Sequence, residues 1–395
     1  MGTGRYMTAR EAAGELGVSL ATLYSYVSRG MVRSEAVGGG RRSRRYRAED
    51  VRALVERKEG RRDPGRAVEG ALRWGAPVLE SGITLVEGGR LFYRGRDALG
   101  LAEGSTIEEV AEIIWEADGG FSGVGEPDRR VRAVLAELEG LPPLGVFQAM
   151  LPVAADADPV GYDLRPAAVA RTGARILRLM TGAVDVGGDG RIAERLGRGW
   201  CPERPGAAGL IDAALVLCAD HELPVSTFAA RCVASSGATP YAVVGAGLAA
   251  LGGVRHGGQV ELAGTFLREV EVEGDARAVV AGRLRRGEVV PGFGHPLYPD
   301  GDPRGAGLLQ IASEALPGSP AVGLSGAIVE EVRGLTGERP NLDLALATVA
   351  RALGLPAGGA AALFAVGRTV GWIGHAIEQY ASRQLIRPRA RYVGG

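Results

Sequence analysis

Lysine is all but missing from this chain of 395 residues: Lys58 stands alone among 46 Lys and Arg. Arginine therefore carries the positive charge, which reads as the codon bias of a GC-rich genome. Cysteine is scarce as well. Cys201, Cys218 and Cys232 have no Cys-x-x-Cys spacing, so neither a disulfide framework nor a zinc site is expected, and a reducing cytoplasm fits. No basic-then-apolar leader opens the chain, so no export signal is expected. The longest apolar runs, 240–254 and 357–366, fall short of the roughly 18 residues of a membrane span and are expected as buried helices. Glycine is plentiful (63 residues) but has no triplet period, which excludes a collagen-like fibre.

The composition that remains is globular, at 46% hydrophobic and 23% charged, and its length suggests two or three domains. A formal net charge of zero hides an asymmetry. Residues 1–66 carry fifteen Arg or Lys against eight Asp or Glu, a net of +7, which leaves −7 for 67–395. A basic module fused to a mildly acidic body is expected.

The basic module has a legible pattern. Thr8 and Ser19 can cap two short helices, with Gly17 in the turn between them, as in a helix-turn-helix. Strands on either side of Gly38, Gly39 and Gly40 would form a wing carrying Arg41, Arg42, Arg44, Arg45 and Arg47. A third helix over 48–59 would complete a winged helix-turn-helix domain at 1–62, and 63–74 reads as a linker. Beyond residue 75 a 3.6-residue apolar period recurs over 106–117, 126–138, 166–180, 207–219, 226–235, 241–251, 276–286, 303–316, 321–335, 342–353 and 360–385. A small hairpin over 82–95 is the one strand signal there. The fold class expected is mainly α, with an all-helical body behind the small N-terminal domain.

Only four histidines occur, each in a distinctive string: His221 in "ADHELPVSTFAAR", His256 in "VRHGGQVE", His295 in "GFGHPLYPDGDPR" and His375 in "GRTVGWIGHAIEQ". Any one of them alone reads equally well as a core histidine. Glycine adjoins His256 and His295, which lets a ligand approach the backbone. These strings, together with "NLD" at 341–343 and "LIRPR" near the end, stand in one order over residues 80–395, and in that order they resemble the citrate synthase family. The resemblance implies a two-lobed helical fold, with a large domain at 75–257 and 346–395 and a small domain at 258–345. It implies that His256 and Asp343 act on the acetyl group of acetyl-CoA and that His295 acts on oxaloacetate. His221, Arg304 and Arg368 would hold the oxaloacetate carboxylates, with Arg387 reaching the partner subunit's site in a homodimer. Pro291, Gly292, Phe293 and Gly294 would lie along the CoA, and neither a metal nor a redox cofactor is implied.

The residue types suit the chemistry. A carboxylate of ordinary pKa, about 4, is a weak base toward a thioester methyl group. It succeeds where a positioned imidazole N–H stabilises the enolate oxygen as it forms. Guanidinium groups bind carboxylates through paired hydrogen bonds and hold the ketone in line. Taken alone, Arg304, Arg368 and Arg387 read as surface ion pairs; Arg368 resists that reading, because it falls inside an apolar helix. Several neighbours differ from the family pattern: Pro224, Gln259, Val260, Glu261, Pro296, Pro299, Leu344, Ala345 and Leu346. Acetyl-CoA and propionyl-CoA remain equal candidates, since one methylene is worth only about 1–3 kcal/mol of discrimination.

The N-terminal module is similar to the MerR-like or excisionase-like winged helix-turn-helix. That similarity implies DNA contact through Thr22, Tyr24, Ser25, Tyr26 and Arg29 on the second helix and through the Arg41–Arg47 run. A second reading therefore stands beside the enzyme: a DNA-binding regulator whose synthase-like body senses an acyl-CoA or a dicarboxylate.

Overall fold

The structure, a computed structural model, describes residues 6–29, 31–36, 44–48, 50, 51, 54, 79–125, 128–185, 189–204 and 206–394. The chain divides into two compact units, Met1–Glu80 and Ser81–Gly395.

In the first unit, α1 (Ala9–Glu15) and α2 (Leu20–Ser28) form the two helices of the expected pair. The Thr8 side chain accepts the Glu11 N–H while the Glu11 carboxylate accepts that of Thr8, a reciprocal cap at the start of α1. Ser19 caps α2 by accepting the Thr22 N–H. The wing strands β2 (Ser34–Ala36) and β3 (Arg44–Arg47) pair antiparallel, and a short strand absent from the sequence reading, β1 (Tyr6–Met7), pairs with the other edge of β3. Two residues are too few to show a period. Ala12, Ala13, Leu16, Leu23, Val32, Tyr46 and Val51 close a small core. The wing tip with Arg41 and Arg42, most of the third helix and the linker 63–74 lie outside the described residues.

The second unit opens with a three-stranded antiparallel meander, β4 (Thr84–Glu87), β5 (Arg90–Tyr93) and β6 (Arg96–Asp97), and is helical thereafter. The helices are α3 (Ala98–Gly104), α4 (Ile107–Trp115), α5 (Arg129–Glu137), α6 (Pro143–Asp156), α7 (Pro166–Gly182), α8 (Ile192–Trp200), α9 (Ala207–Cys218), α10 (Val225–Ser235), α11 (Pro240–Leu251), α12 (Gly258–Glu273), α13 (Ala276–Arg285), α14 (Pro303–Ala315), α15 (Pro320–Thr336), α16 (Leu342–Leu353) and α17 (Gly359–Ser382).

Two hydrophobic cores lie inside this unit. The larger gathers residues from Ile83 to Val260 and again from Leu308 to Ala376. The smaller holds Ala263, Phe266, Leu267, Val270, Val280, Val290, Phe293, Ile328, Val332, Leu344 and Ala347. Helix α16 belongs to both: Leu342, Ala345, Leu346 and Val349 face the larger core, Leu344 and Ala347 the smaller. Helix α12 likewise begins in the larger core at Val260 and continues in the smaller from Ala263. The functional side chains lie beside these crossings.

Helix α17 bears out the expectation of a buried helix in the apolar run 357–366 and extends well beyond it. With 24 residues and an 18-residue window of mean hydropathy 1.2, it is long and apolar enough to cross a membrane by length and composition alone. Arg368 and His375 break the runs without lowering the average enough to disqualify it. Its most apolar window is wholly buried within the protein, as in a core helix.

Candidate active site

His221 follows the C-terminus of α9, and the next residue, Glu222, holds a left-handed backbone (φ 58°) that turns the chain sharply toward α10. The His221 ring is buried and its Nε2 lies 2.9 Å from the Tyr298 hydroxyl. His295 stands edge-on to it, with ring centroids 5.2 Å apart. Tyr298 packs against both imidazoles, and the Arg304 guanidinium lies 5.7 Å from the centre of the Tyr298 ring. Thus His221, His295 and Arg304, from widely separated parts of the chain, meet around one tyrosine.

The loop bearing His295 is clamped to the start of α16. The Asn341 N–H donates to the Gly292 carbonyl at 2.9 Å, the Gly294 N–H to Arg339 at 3.0 Å and the Asn341 side-chain amide to the Gly294 carbonyl at 3.1 Å. Gly292 sits at φ 85°, and a Cβ there would lie 2.8 Å from that of Leu344, so glycine is required on both counts. Asn341 also caps α16 by accepting the N–H groups of Asp343 and Leu344. Of the four residues expected along the CoA, Phe293 turns its ring into the smaller core. Its backbone, with Pro291, Gly292 and Gly294, forms the strip beside His295.

His295 Nδ1 accepts the Leu297 N–H at 3.2 Å, so a neutral ring carries its proton on Nε2 and can donate from there. Neutrality follows from the surroundings. Burial, then the Arg304 charge, brings the His295 pKa down to about 4, Asp302 opposing. Burial and then Arg304, Arg368 and His295 push His221 well below its ordinary value. His256, after α11, has its Nε2 2.7 Å from Ser226 Oγ on α10; burial, then Arg368, brings it to about 4.

The Phe364 ring on α17 lies edge-on to His256 at 5.7 Å, with the Arg368 guanidinium 4.8 Å from its centre. Arg368 is 1% exposed, yet only its Nε meets a protein acceptor among the described residues, the Cys218 carbonyl at 2.6 Å. Arg304 differs: Asp302 grips its Nε and Nη2 at 3.0 and 2.8 Å and outweighs burial in keeping it protonated. Asp343, half-buried where the two cores meet, has its pKa raised to about 7, mainly by burial; Arg304 and Arg368 pull it down and Asp302 pushes it up. The carboxylate is therefore a stronger base than the value of about 4 ascribed to it from sequence.

Arg387 is exposed on the irregular segment after α17, with no hydrogen bond or ion pair among the described residues. A separate cavity of about 700 Å³, lined by Leu135, Phe147, Trp200 and neighbours, holds none of these side chains. Sequence reasoning missed Tyr298, Ser226, Asp302, Asn341 and Phe364. All five sit within five residues of a residue it did single out, which was the available signal.

A family model for the C-terminal domain of citrate synthase matches residues 71–389. The chain belongs to the citrate synthase family. A helix-turn-helix domain model matches residues 6–59. The 2-methylcitrate synthase of Shewanella oneidensis is 30% identical over 349 residues, covering 78% of this chain and 90% of that protein. The citrate synthase of Haloferax volcanii is 40% identical over 194 residues, 47% of this chain and 50% of the relative. A Mycobacterium tuberculosis protein is 41% identical over 191 residues, 47% of this chain and 51% of the relative, so the chain spans about half the length of that relative. Among solved structures, the citrate synthase of Thermotoga maritima MSB8 superposes with a TM-score of 0.71 at 27% identity, covering 81% of this chain and 94% of that one. The Thermoplasma acidophilum enzyme, solved as a ternary complex of carboxymethyl coenzyme A and oxaloacetate, gives 0.67 at 25% identity over 81% and 94% of the two chains.

Proposed function

We propose that the protein condenses an acyl-CoA, acetyl-CoA or propionyl-CoA, with oxaloacetate and hydrolyses the resulting thioester. The observation that carries this reading is Arg368. A guanidinium almost wholly inside the protein, with both terminal amino groups uncommitted among the described residues, calls for an anionic partner, and it stands beside His256 with His221 and Asp343 in its electrostatic reach. Family membership and the half-free Arg304 point to a small dicarboxylate as that partner.

The residues then divide the work. Asp343 takes a proton from the acyl methyl or methylene carbon. His256 donates from Nδ1 to the forming enolate oxygen, with Ser226 donating to its Nε2 and so setting the tautomer. The enolate carbon attacks the ketone carbon of oxaloacetate, and His295 donates from Nε2 to the ketone oxygen as charge develops there. His221, Arg304 and Arg368 hold the carboxylates, and Arg387 joins them from the partner subunit of a homodimer. Water then cleaves the thioester, releasing CoA and the tricarboxylate. A neutral His256 and His295 are the forms this scheme needs, because a neutral donor can stabilise the oxyanion without a full charge to desolvate.

The test is thiol release. Free CoA should appear from acetyl- or propionyl-CoA only with oxaloacetate present, and Asp343→Ala should abolish it with the helical content unchanged. No release with acetyl-, propionyl- or longer acyl-CoA overturns the reading and returns the sensor alternative, which the present observations do not favour. A second activity rests on a separate observation. In the first unit Tyr24, Arg29, Arg44 and Arg45 are exposed on α2 and the wing, whereas Tyr26 packs on the core and Thr22 is bonded to Ser19. We infer that the four exposed residues contact DNA.

A further inference from the structure

Beyond the groups assigned to substrate, one set of buried polar side chains has no role in the chemistry above. It forms an unbroken line of hydrogen bonds. Asp220, immediately before His221, is wholly buried, and its Oδ2 accepts from Thr84 Oγ1 at 2.5 Å and lies 3.3 Å from His375 Nε2. His375, also wholly buried, receives Arg231 Nη1 at its Nδ1 (3.4 Å), which places the ring proton on Nε2, facing Asp220. Arg231 Nε donates to Gln379 Oε1 at 3.0 Å, and Gln379 Nε2 donates to the Gln384 carbonyl at 2.8 Å. Gln384 opens the segment that carries Arg387, and two residues on the Ile386 N–H donates to Ser235 Oγ at 3.1 Å.

Both ends of this line are places where the chain leaves a helix under constraint. At one end, the Gly371 N–H on α17 donates to the Ala219 carbonyl at 3.0 Å, just before the left-handed Glu222. At the other, α17 ends on Arg383, also left-handed at φ 53°. Burying four polar groups costs more free energy than an apolar filling of the same volume, so their use indicates geometric specification.

We propose that Asp220, His375, Arg231 and Gln379 are positioning residues, one buried chain that sets both the turn presenting His221 and the departure of the segment bearing Arg387. The ligand at those two ends is the oxaloacetate of the proposed reaction, and to that extent the inference rests on that reading. Two oxaloacetate-binding groups, one for each subunit's site, are thereby aimed by a single device that touches neither substrate.

Hydrogen exchange on the full-length protein tests it without turnover. His375→Leu removes both ring nitrogens at similar volume; His375→Gln keeps a donor near Nε2. Amides of 219–222 and 384–386 should exchange about ten-fold faster in His375→Leu, the loss of a buried hydrogen-bonded link, with α7 unchanged and His375→Gln partly restored. In the thiol-release assay the KM for oxaloacetate should rise about ten-fold in His375→Leu, while the KM for acyl-CoA holds and kcat falls less. Should His375→Leu fail to fold, Gln379→Leu, near the end of α17, reads the same two segments. Unchanged exchange at either segment overturns the proposal, as does uniform acceleration across the unit or a loss of kcat with KM constant. A wild-type protein that releases no thiol overturns the proposed reaction instead, and the exchange data then decide the positioning chain alone.

Discussion

Asp343 is a residue whose surroundings change its chemistry. With Asp343 as the proposed base, a pKa of about 7 should make kcat/KM rise with pH through that value, because the base must be ionised in the free enzyme. A pH profile of thiol release from 5.5 to 8.5 checks this; a plateau already reached at pH 5.5 contradicts it. The same shift has a cost in stability. Its folded-state pKa lies above the ordinary carboxylate value, so the native state binds the proton more tightly than the unfolded chain. Stability on its account therefore falls as pH rises from about 4 to about 7. Asp343→Asn should be inactive yet melt higher than wild type at pH 8, by about 1–3 kcal/mol, with the difference vanishing near pH 4. The types and order of His221, His256, His295, Asp343, Arg304 and Arg368 were legible in the strings around them. The raised basicity was not, since it comes from burial at a junction of two cores that no local string reveals.

At the scale of elements, the long periodic helices were legible to within three residues: 342–353 matches α16 at both ends, 166–180 falls two short of α7, and 360–385 overruns α17 by three. Four were missed, for local reasons. Helix α6 contains Pro152, which reads as a breaker; α12 begins on glycine directly after the His256 turn. Helices α3 and α8 are only seven and nine residues long. The packing of α14 against the start of α16 was equally hidden. Gly305 lies so close to Asn341 that a Cβ there would fall 2.4 Å from its carbonyl carbon. Gly305→Ala should therefore push the Arg304 helix away from the Asn341 clamp. We expect a loss of about 1–3 kcal/mol in denaturant unfolding and a raised KM for oxaloacetate. An unchanged KM would show that the two helix starts are not coupled in this way.

For the whole molecule, the two units should act separately. Removing residues 1–66 should leave thiol release intact and abolish a gel shift with the upstream region of the protein's own operon; equal shifts with and without them end the DNA proposal. In the full chain, Arg44→Ala with Arg45→Ala should weaken that shift and lower its salt dependence by about one unit of slope for each phosphate no longer neutralised. The proposed sharing of sites has its own signature. Arg387→Ala and Asp343→Ala, each inactive alone, should recover about a quarter of wild-type activity when unfolded and refolded together. Half of the dimers would be mixed, and each of those would hold one intact site. No recovery on mixing argues that Arg387 serves the site of its own chain or none.

Helix α17 has a bearing on the life of the chain before it folds. A stretch of this length and hydropathy, leaving the ribosome before its partners have closed around it, presents the pattern that lipid-insertion machinery selects. Arg368 near its middle opposes that fate, since an arginine at the centre of a spanning helix costs about 2.5–3.5 kcal/mol. The side chain proposed to grip a carboxylate in the mature protein should thus also disfavour insertion of the nascent polypeptide into a bilayer. Arg368→Leu would be a lesion twice over, first in where the chain goes and only then in what it binds.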